Sequence, residues 1–236
     1  MLYSPCFFPP RPMPHLSSAI ESLVSSKSLL NHAFYKAWSK GELTLKDLQG
    51  YAKEYYYAAK NVPVVMETIR KNAPHTLTAL QRETFEKNAA EEVEHIELWE
   101  RFASSLGITQ DELNAYEPTE IVREAVTSIV EQAELGFEEG VAAMYAFECE
   151  LPAISQSKID GLQKFYGLTS QDAHAYFNEH MAEEKHLCFW RALLDSFEEG
   201  KEEECLLAAE STVAAQNRIL DGVIERYIPT MCSSCA

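Results

Sequence analysis

Two short runs of acids and imidazoles carry the chemistry that is easiest to read in this chain. One is Glu92-Val-Glu-His95, with Glu91 just before it, and the other is Glu183-Glu184-Lys185-His186, with His180 one and a half turns earlier. On a helix, a spacing of three puts both side chains of each Glu-x-x-His pair on one face, a turn apart. A third acid, Glu148, closes the run Val-Ala-Ala-Met-Tyr-Ala-Phe-Glu, which is apolar on nearly every face. A buried carboxylate is costly unless it is paired, protonated or bound to metal. Oxygen and nitrogen ligands converging from several helices are how bundles house two metal ions, with iron or manganese suited to such donors. Two such ions suit dioxygen chemistry, since each changes by one electron and open positions admit O2. The plainer reading is that Glu-x-x-His arises by chance in an acidic helix, with Glu91, Glu94 and Glu97 forming a solvated face near His95. His15, His32, His75 and His174 lack comparable neighbours and read as structural or surface residues.

Tyrosine is the other unusual feature, with 11 in the chain. Tyr35 lies near the end of the first expected helix, and Tyr51 precedes Tyr55-Tyr56-Tyr57 on the second. Core filling accounts for most aromatics at helical spacing. A tyrosine beside a metal pair has a second use, because its ring can lose an electron and a proton.

The elements that must position these residues are helices. The 236 residues are 46% apolar, enough for one core, and the 9 glycines fall mostly between periodic segments. Helices are expected at about 17–39, 45–72, 77–106, 110–115, 119–138, 140–158, 170–196 and 203–226, an all-α bundle of about seven main helices. Thr44-Leu-Lys-Asp47 and Thr109-Gln-Asp-Glu112 read as capping boxes. The segment ending in Glu148 should be central. Residues 1–16 read as an irregular, proline-rich arm rather than a signal peptide, 17–228 as one domain, and 229–236 as a tail carrying Cys232 and Cys235. That lone Cys-x-x-Cys could bind metal, form a redox disulfide or do nothing. Six scattered cysteines argue against a disulfide framework and for a reducing compartment, the cytoplasm. With 20 Lys+Arg against 37 Asp+Glu, the net charge of −17 disfavours nucleic acid, and no apolar run is long enough to span a membrane.

Several segments together resemble a known family. They are His32-Ala-Phe-Tyr35-Lys-Ala-Trp38, Gly50-Tyr51-Ala-Lys-Glu-Tyr55, His95-Ile-Glu-Leu-Trp99, Gly140-Val-Ala-Ala-Met-Tyr145 with Glu148 and Pro152, and Lys158-Ile-Asp-Gly161-Leu. From about residue 20 to 196 the chain is similar to the CADD-like proteins, PqqC-like members of the heme-oxygenase-like dimetal oxidases. The resemblance implies a heme-oxygenase-like (PqqC/TenA-like) bundle holding two iron or manganese ions, using O2 and an external reductant. It implies para-aminobenzoate synthesis for folate in which the protein consumes its own tyrosine. Carried over, Tyr35 would be the sacrificed ring, Lys158 the amine donor, Tyr51 an auxiliary redox tyrosine, and Tyr176 a further site residue. His95, Glu148 and His180 match family ligands, and Glu91 or Glu92, Glu183 or Glu184, and His186 complete the expected set. Two places depart from the family. Asn88 stands where relatives have a carboxylate seven residues before the histidine, and the run from His180 to His186 is one residue short. At about 100° per residue, a straight helix would point His186 roughly 120° away from His180. A homodimer is implied by the resemblance, and the family's name implies host death-domain proteins as partners. The alternatives are an interaction protein of that kind, or a metal-free enzyme like PqqC or the thiaminase-like relatives.

Overall fold

The structure is a computed structural model that describes residues 15–182 and 184–232. Nearly all of the expected arm, Glu183, and Cys235 of the tail lie outside the described residues. The helices are α1 (Leu16–Ser26), α2 (Ala33–Trp38), α3 (Leu45–Asn72), α4 (Ala79–Ser105), α5 (Gln110–Asn114), α6 (Glu120–Leu135), α7 (Phe137–Glu148), α8 (Leu151–Phe165), α9 (Gln171–Ala182), α10 (Glu184–Leu194), α11 (Glu202–Tyr227) and α12 (Pro229–Cys232). No strand occurs among the described residues. The two capping boxes read from sequence start α3 and α5, and a third, Thr78 with Gln81, starts α4. In each, the threonine oxygen and the side chain three residues on satisfy orphan amides reciprocally.

Three expected helices are broken, each for a local reason. The helix expected at 17–39 stops at Ser26, and a 3-10 turn over Leu29–Asn31 intervenes before α2. Capping side chains cause the break: Ser28 accepts from Leu30 N, and His32 accepts from Phe34 N. The helix expected at 119–138 ends at Leu135 because Gly136 is extended, and a Cβ there would meet Glu139 Oε2 at 2.3 Å. The helix expected at 140–158 is two. It turns at Cys149 and Glu150, and Pro152 sits in the first turn of α8, where its missing N–H costs nothing.

These boundaries define two apolar clusters. One gathers α1, α6, α7, α10 and α11 around Ile20, Val141, Met144 and Trp190. The other gathers α2, α3, α4, α8 and α9 around Trp38, Tyr51, Trp99 and Phe177. α7 is buried along almost its whole length, packed against α6, α10 and α11, as its apolar run requires. α3 and α4 pack together, and α9 lies between α4 and α8. Side chains from α4, α7, α9 and α10 meet where the clusters adjoin. No helix of the described residues is long and apolar enough to cross a membrane.

A buried ionic joint holds the far side of α3. Glu54 is fully buried and accepts from Tyr116 Oη at 2.5 Å and Thr119 N at 3.0 Å, with Arg226 Nη1 at 3.1 Å. Removing the acid leaves the Thr119 amide without its acceptor and takes the carboxylate from Tyr116 and Arg226, which still bond Tyr227, each other and the Glu117 carbonyl. Glu54→Ala is expected to lower the free energy of unfolding by about 3 kcal/mol in urea denaturation.

Candidate functional site

Helical spacing puts Glu92 and His95 on the inner face of α4, one turn apart, and leaves Glu94 and Glu97 exposed. The plain solvated-face reading of Glu91, Glu94 and Glu97 therefore holds for Glu94 and Glu97, while Glu91 is only partly exposed and Glu92 beside it is buried. Glu92, His95, Glu148, His180 and His186 are each at most 5% exposed. They form two groups that share Glu92: Glu92, His95 and His180 in one, and Glu92, Glu148 and His186 in the other, with ligand atoms in each within 4.8 Å of one another. Glu92 Oε2 lies 3.2 Å from His95 Nδ1, and Oε1 lies 3.8 Å from His186 Nδ1. One carboxylate thus turns an oxygen to each group.

Neighbouring groups fix these side chains. His180 Nδ1 is 2.8 Å from the Tyr176 carbonyl, so it carries the proton and Nε2 is the ring's electron-pair donor. Burial, helped by His95, pushes the conjugate acid of His180 down to about 4, so the ring is neutral. Burial alone would raise the Glu92 pKa, but the hydrogen bond from His95 and the electrostatic pull of the surrounding imidazoles lower it. Trp190 Nε1 donates to Glu148 Oε2 at 2.9 Å. The donor set, three imidazoles and two carboxylates buried together with one acid common to both groups, is compatible with a site for two metal ions.

The other expected ligands fall differently. Glu91 is partly exposed at the rim, with Oε2 2.7 Å from His186 Nε2 and Oε1 3.1 Å from Lys185. Of the pair Glu183 or Glu184, Glu184 is exposed and belongs to neither group. Glu183 lies outside the described residues. The six-residue spacing of His180 and His186 does not expel either ring; it distributes them between the two groups. Asn88 is buried one turn before Glu92 on the same face of α4, and its Nδ2 has no hydrogen-bond partner among the described residues.

A second constellation adjoins the first. Lys158, on α8, is 3% exposed, and its Nζ donates to Tyr51 Oη. Aromatic rings surround the amine: Tyr51 at 4.8 Å, Phe177 at 5.0 Å, Tyr55 at 5.3 Å, Tyr35 at 5.6 Å and Trp99 at 5.7 Å from Nζ to the centroids. With no carboxylate paired to it among the described residues, burial pushes the Lys158 pKa down to about 7. Tyr35 and Tyr51 share a hydrogen bond, and burial raises both phenols well above their ordinary value. Tyr55 is pushed up to about 12 by burial and is hydrogen-bonded to Tyr176. Tyr176 stacks on His180 with centroids 4.1 Å apart and meets Trp99 edge-on at 4.8 Å. An aromatic path therefore runs from the histidines through Tyr176 and Tyr55 to Tyr51, Tyr35 and Lys158. Tyr55 and Trp99 were not singled out as site residues; the available signal was their place one turn after Tyr51 and His95. His32 and His174 are structural, the first a helix cap and the second bonded to the Leu168 carbonyl.

A helical bundle of this architecture is a heme-oxygenase-like fold. It superposes on a CADD-like protein of unknown function from Nostoc punctiforme with a TM-score of 0.74 at 13% identity, covering 91% of this chain and 95% of that one. A domain of unknown function with a heme oxygenase-like fold from Shewanella denitrificans gives 0.72 at 15% identity, covering 92% and 91%. Residues 23–218 match the TENA/THI-4/PQQC family, and the chain belongs to it. Within that family it is CADD-like. A 4-aminobenzoate synthase of Chlamydia trachomatis is 32% identical over 222 residues, covering 92% of this chain and 94% of the relative. A 4-aminobenzoate synthase of Nitrosomonas europaea is 31% identical, covering 88% and 90%. A pyrroloquinoline-quinone synthase of Ectopseudomonas mendocina is 27% identical over 65% of this chain and 63% of that one. The expectation of an enzyme is borne out by these synthases.

Because both groups depend on Glu92, replacing it should empty both. Elemental analysis after reconstitution with iron or manganese is expected to give about two ions per chain for the wild type and under about one for Glu92→Gln. Glu91→Gln, at the rim, is expected to retain the wild-type content.

Proposed function

We propose that the protein is a dioxygen-dependent dimetal oxidase that makes para-aminobenzoate from its own Tyr35, with Lys158 as the amino donor. One observation carries this reading: a buried amine, its pKa lowered to about 7, lies against the Tyr35 ring, within an aromatic cluster that adjoins the Glu92-sharing ligand groups. The relatives' name, 4-aminobenzoate synthase, supports the product. Glu92, His95, His180, Glu148 and His186 would hold the metal pair, which when bound would supply the activation of dioxygen.

The chain's own residues account for the rest. Tyr176, Tyr55 and Tyr51 offer phenols in contact through which an electron and a proton leave Tyr35. Lys158 Nζ supplies the nucleophile. A C–N bond forms at the ring carbon bearing the phenolic oxygen, and that C–O bond breaks, the oxygen leaving as water. The Tyr35 Cα–Cβ bond and the Lys158 Cε–Nζ bond break. Cβ leaves with the ring as the carboxylate, Cα gains a hydrogen, and Cε is oxidised to an aldehyde. Six electrons leave the two side chains, two dioxygen molecules take up eight, and an external reductant supplies the remaining two. Each chain reacts once.

Reduced, metal-loaded protein exposed to dioxygen is expected to release para-aminobenzoate, with peptide mass spectrometry finding residue 35 stripped of its ring and residue 158 as an aldehyde. Unchanged intact mass and no product with either metal would refute the reading.

The amine also sets a pH dependence. Lys158 attacks only when neutral, so product per chain is expected to rise with pH along a single titration centred near 7. Stability follows the same group. Between about 7 and the ordinary value of 10.5 the unfolded lysine holds a proton that the folded one has lost, so stability rises with pH across that window. Urea denaturation across it is expected to show this rise in the wild type and a flatter dependence in Lys158→Met.

A further inference from the structure

The helix that carries Tyr35 is short and has little hold of its own. α2 spans six residues, follows a 3-10 turn and ends in a turn at Gly41, whose φ is +71. A six-residue helix is not self-supporting, so its place is set by what it touches.

Two of its anchors lie on one neighbouring element. At its entry, Glu150, in the turn between α7 and α8, accepts from Ser28 Oγ with one carboxylate oxygen and from Leu29 N at 2.9 Å with the other. These bonds seat the start of the 3-10 turn that leads into α2. At its exit, Trp38 Nε1 donates to the Lys158 carbonyl at 3.3 Å. The indole can lie there only because position 161 is glycine, since a Cβ would come within 2.4 Å of Nε1. His32 adds a tie to α11: its Nδ1 accepts from Phe34 N, so Nε2 carries the proton and donates to Asp221 at 3.0 Å.

The arrangement measures Tyr35 against Lys158. Glu150 leads directly into α8, Gly161 is one turn past Lys158 on that helix, and α2 is clipped at both ends to this one stretch. We propose that Glu150 and Gly161 are positioning residues that register α2 on α8 and so fix the Tyr35 ring beside the Lys158 amine. This rests on the assignment of Tyr35 and Lys158 above. Neither residue is hydrogen-bonded to the reacting pair; Glu150 acts through Ser28 and Leu29, with its charge also felt at the Tyr35 phenol, and Gly161 acts through Trp38.

The test uses full-length, metal-loaded Glu150→Gln and Gly161→Ala. Glu150→Gln keeps the shape but turns an amide donor toward Leu29 N or Ser28 Oγ. Gly161→Ala favours the helix by intrinsic propensity but forces Trp38 to move, so a merely structural role and a positioning role predict different outcomes. In both variants, product per chain is expected to fall by about tenfold or more. Among chains oxidised at residue 35, the share that still carry an unaltered Lys158 should rise, while the pH midpoint of the remaining reaction stays near that of the wild type. Hydrogen exchange, read without turnover, should quicken in residues 28–38 and stay unchanged in α3 and α11. Wild-type exchange in residues 28–38 of both variants, or an unchanged ratio of altered residue 158 to altered residue 35, would overturn the proposal. A wild type that yields no product refutes the assignment of the reacting pair instead, and the exchange measurement still decides whether Glu150 and Gly161 hold α2.

Discussion

The structure turns on a carboxylate placed where water cannot reach it. Glu92 sits between His95 and His186 at the junction of the two apolar clusters, and its negative charge persists there because histidines and not solvent surround it. Everything around it follows from satisfying that charge and the similarly buried Glu148: Trp190 donates to Glu148, and the Tyr176 carbonyl orients His180. A carboxylate common to both groups, with imidazoles on either side, is compatible with a site for two cations.

A second constraint of the opposite kind lies beside it. Lys158 is buried among rings with no acid paired to it among the described residues, and it answers by losing its proton easily. The same helix bundle thus stabilises charge at Glu92 and suppresses it at Lys158, with Tyr176, Tyr55 and Tyr51 filling the space between. Environment sets these roles.

Much of this was legible in the sequence. The capping boxes at Thr44 and Thr109 mark helix starts, the apolar run through Met144 and Phe147 marks α7 as central, and paired Glu-x-x-His spacing marks the helices that meet. What was not legible depends on tertiary contacts. Glu91 and Glu92 are equivalent in a sequence, and only the orientation of α4 decides that Glu92 points inward while Glu91 stays at the rim. The break after Ser26 is capped locally, but the seat of the 3-10 turn that follows is Glu150, more than a hundred residues away, which accepts from Leu29. The shortened spacing between His180 and His186 reads in sequence as a departure from the family pattern, and in the structure it puts one ring in each of the two groups that share Glu92. Tyr55 and Trp99 looked like core aromatics, and by burial they are; their neighbours make them a path.

The most direct measurement is anomalous diffraction from crystals of the iron- or manganese-loaded protein, recorded at the metal absorption edge. Two peaks on either side of the Glu92 carboxylate are predicted, one near His95 and His180 and the other near Glu148 and His186. A single peak, or peaks elsewhere with Glu92 unligated, would contradict the account.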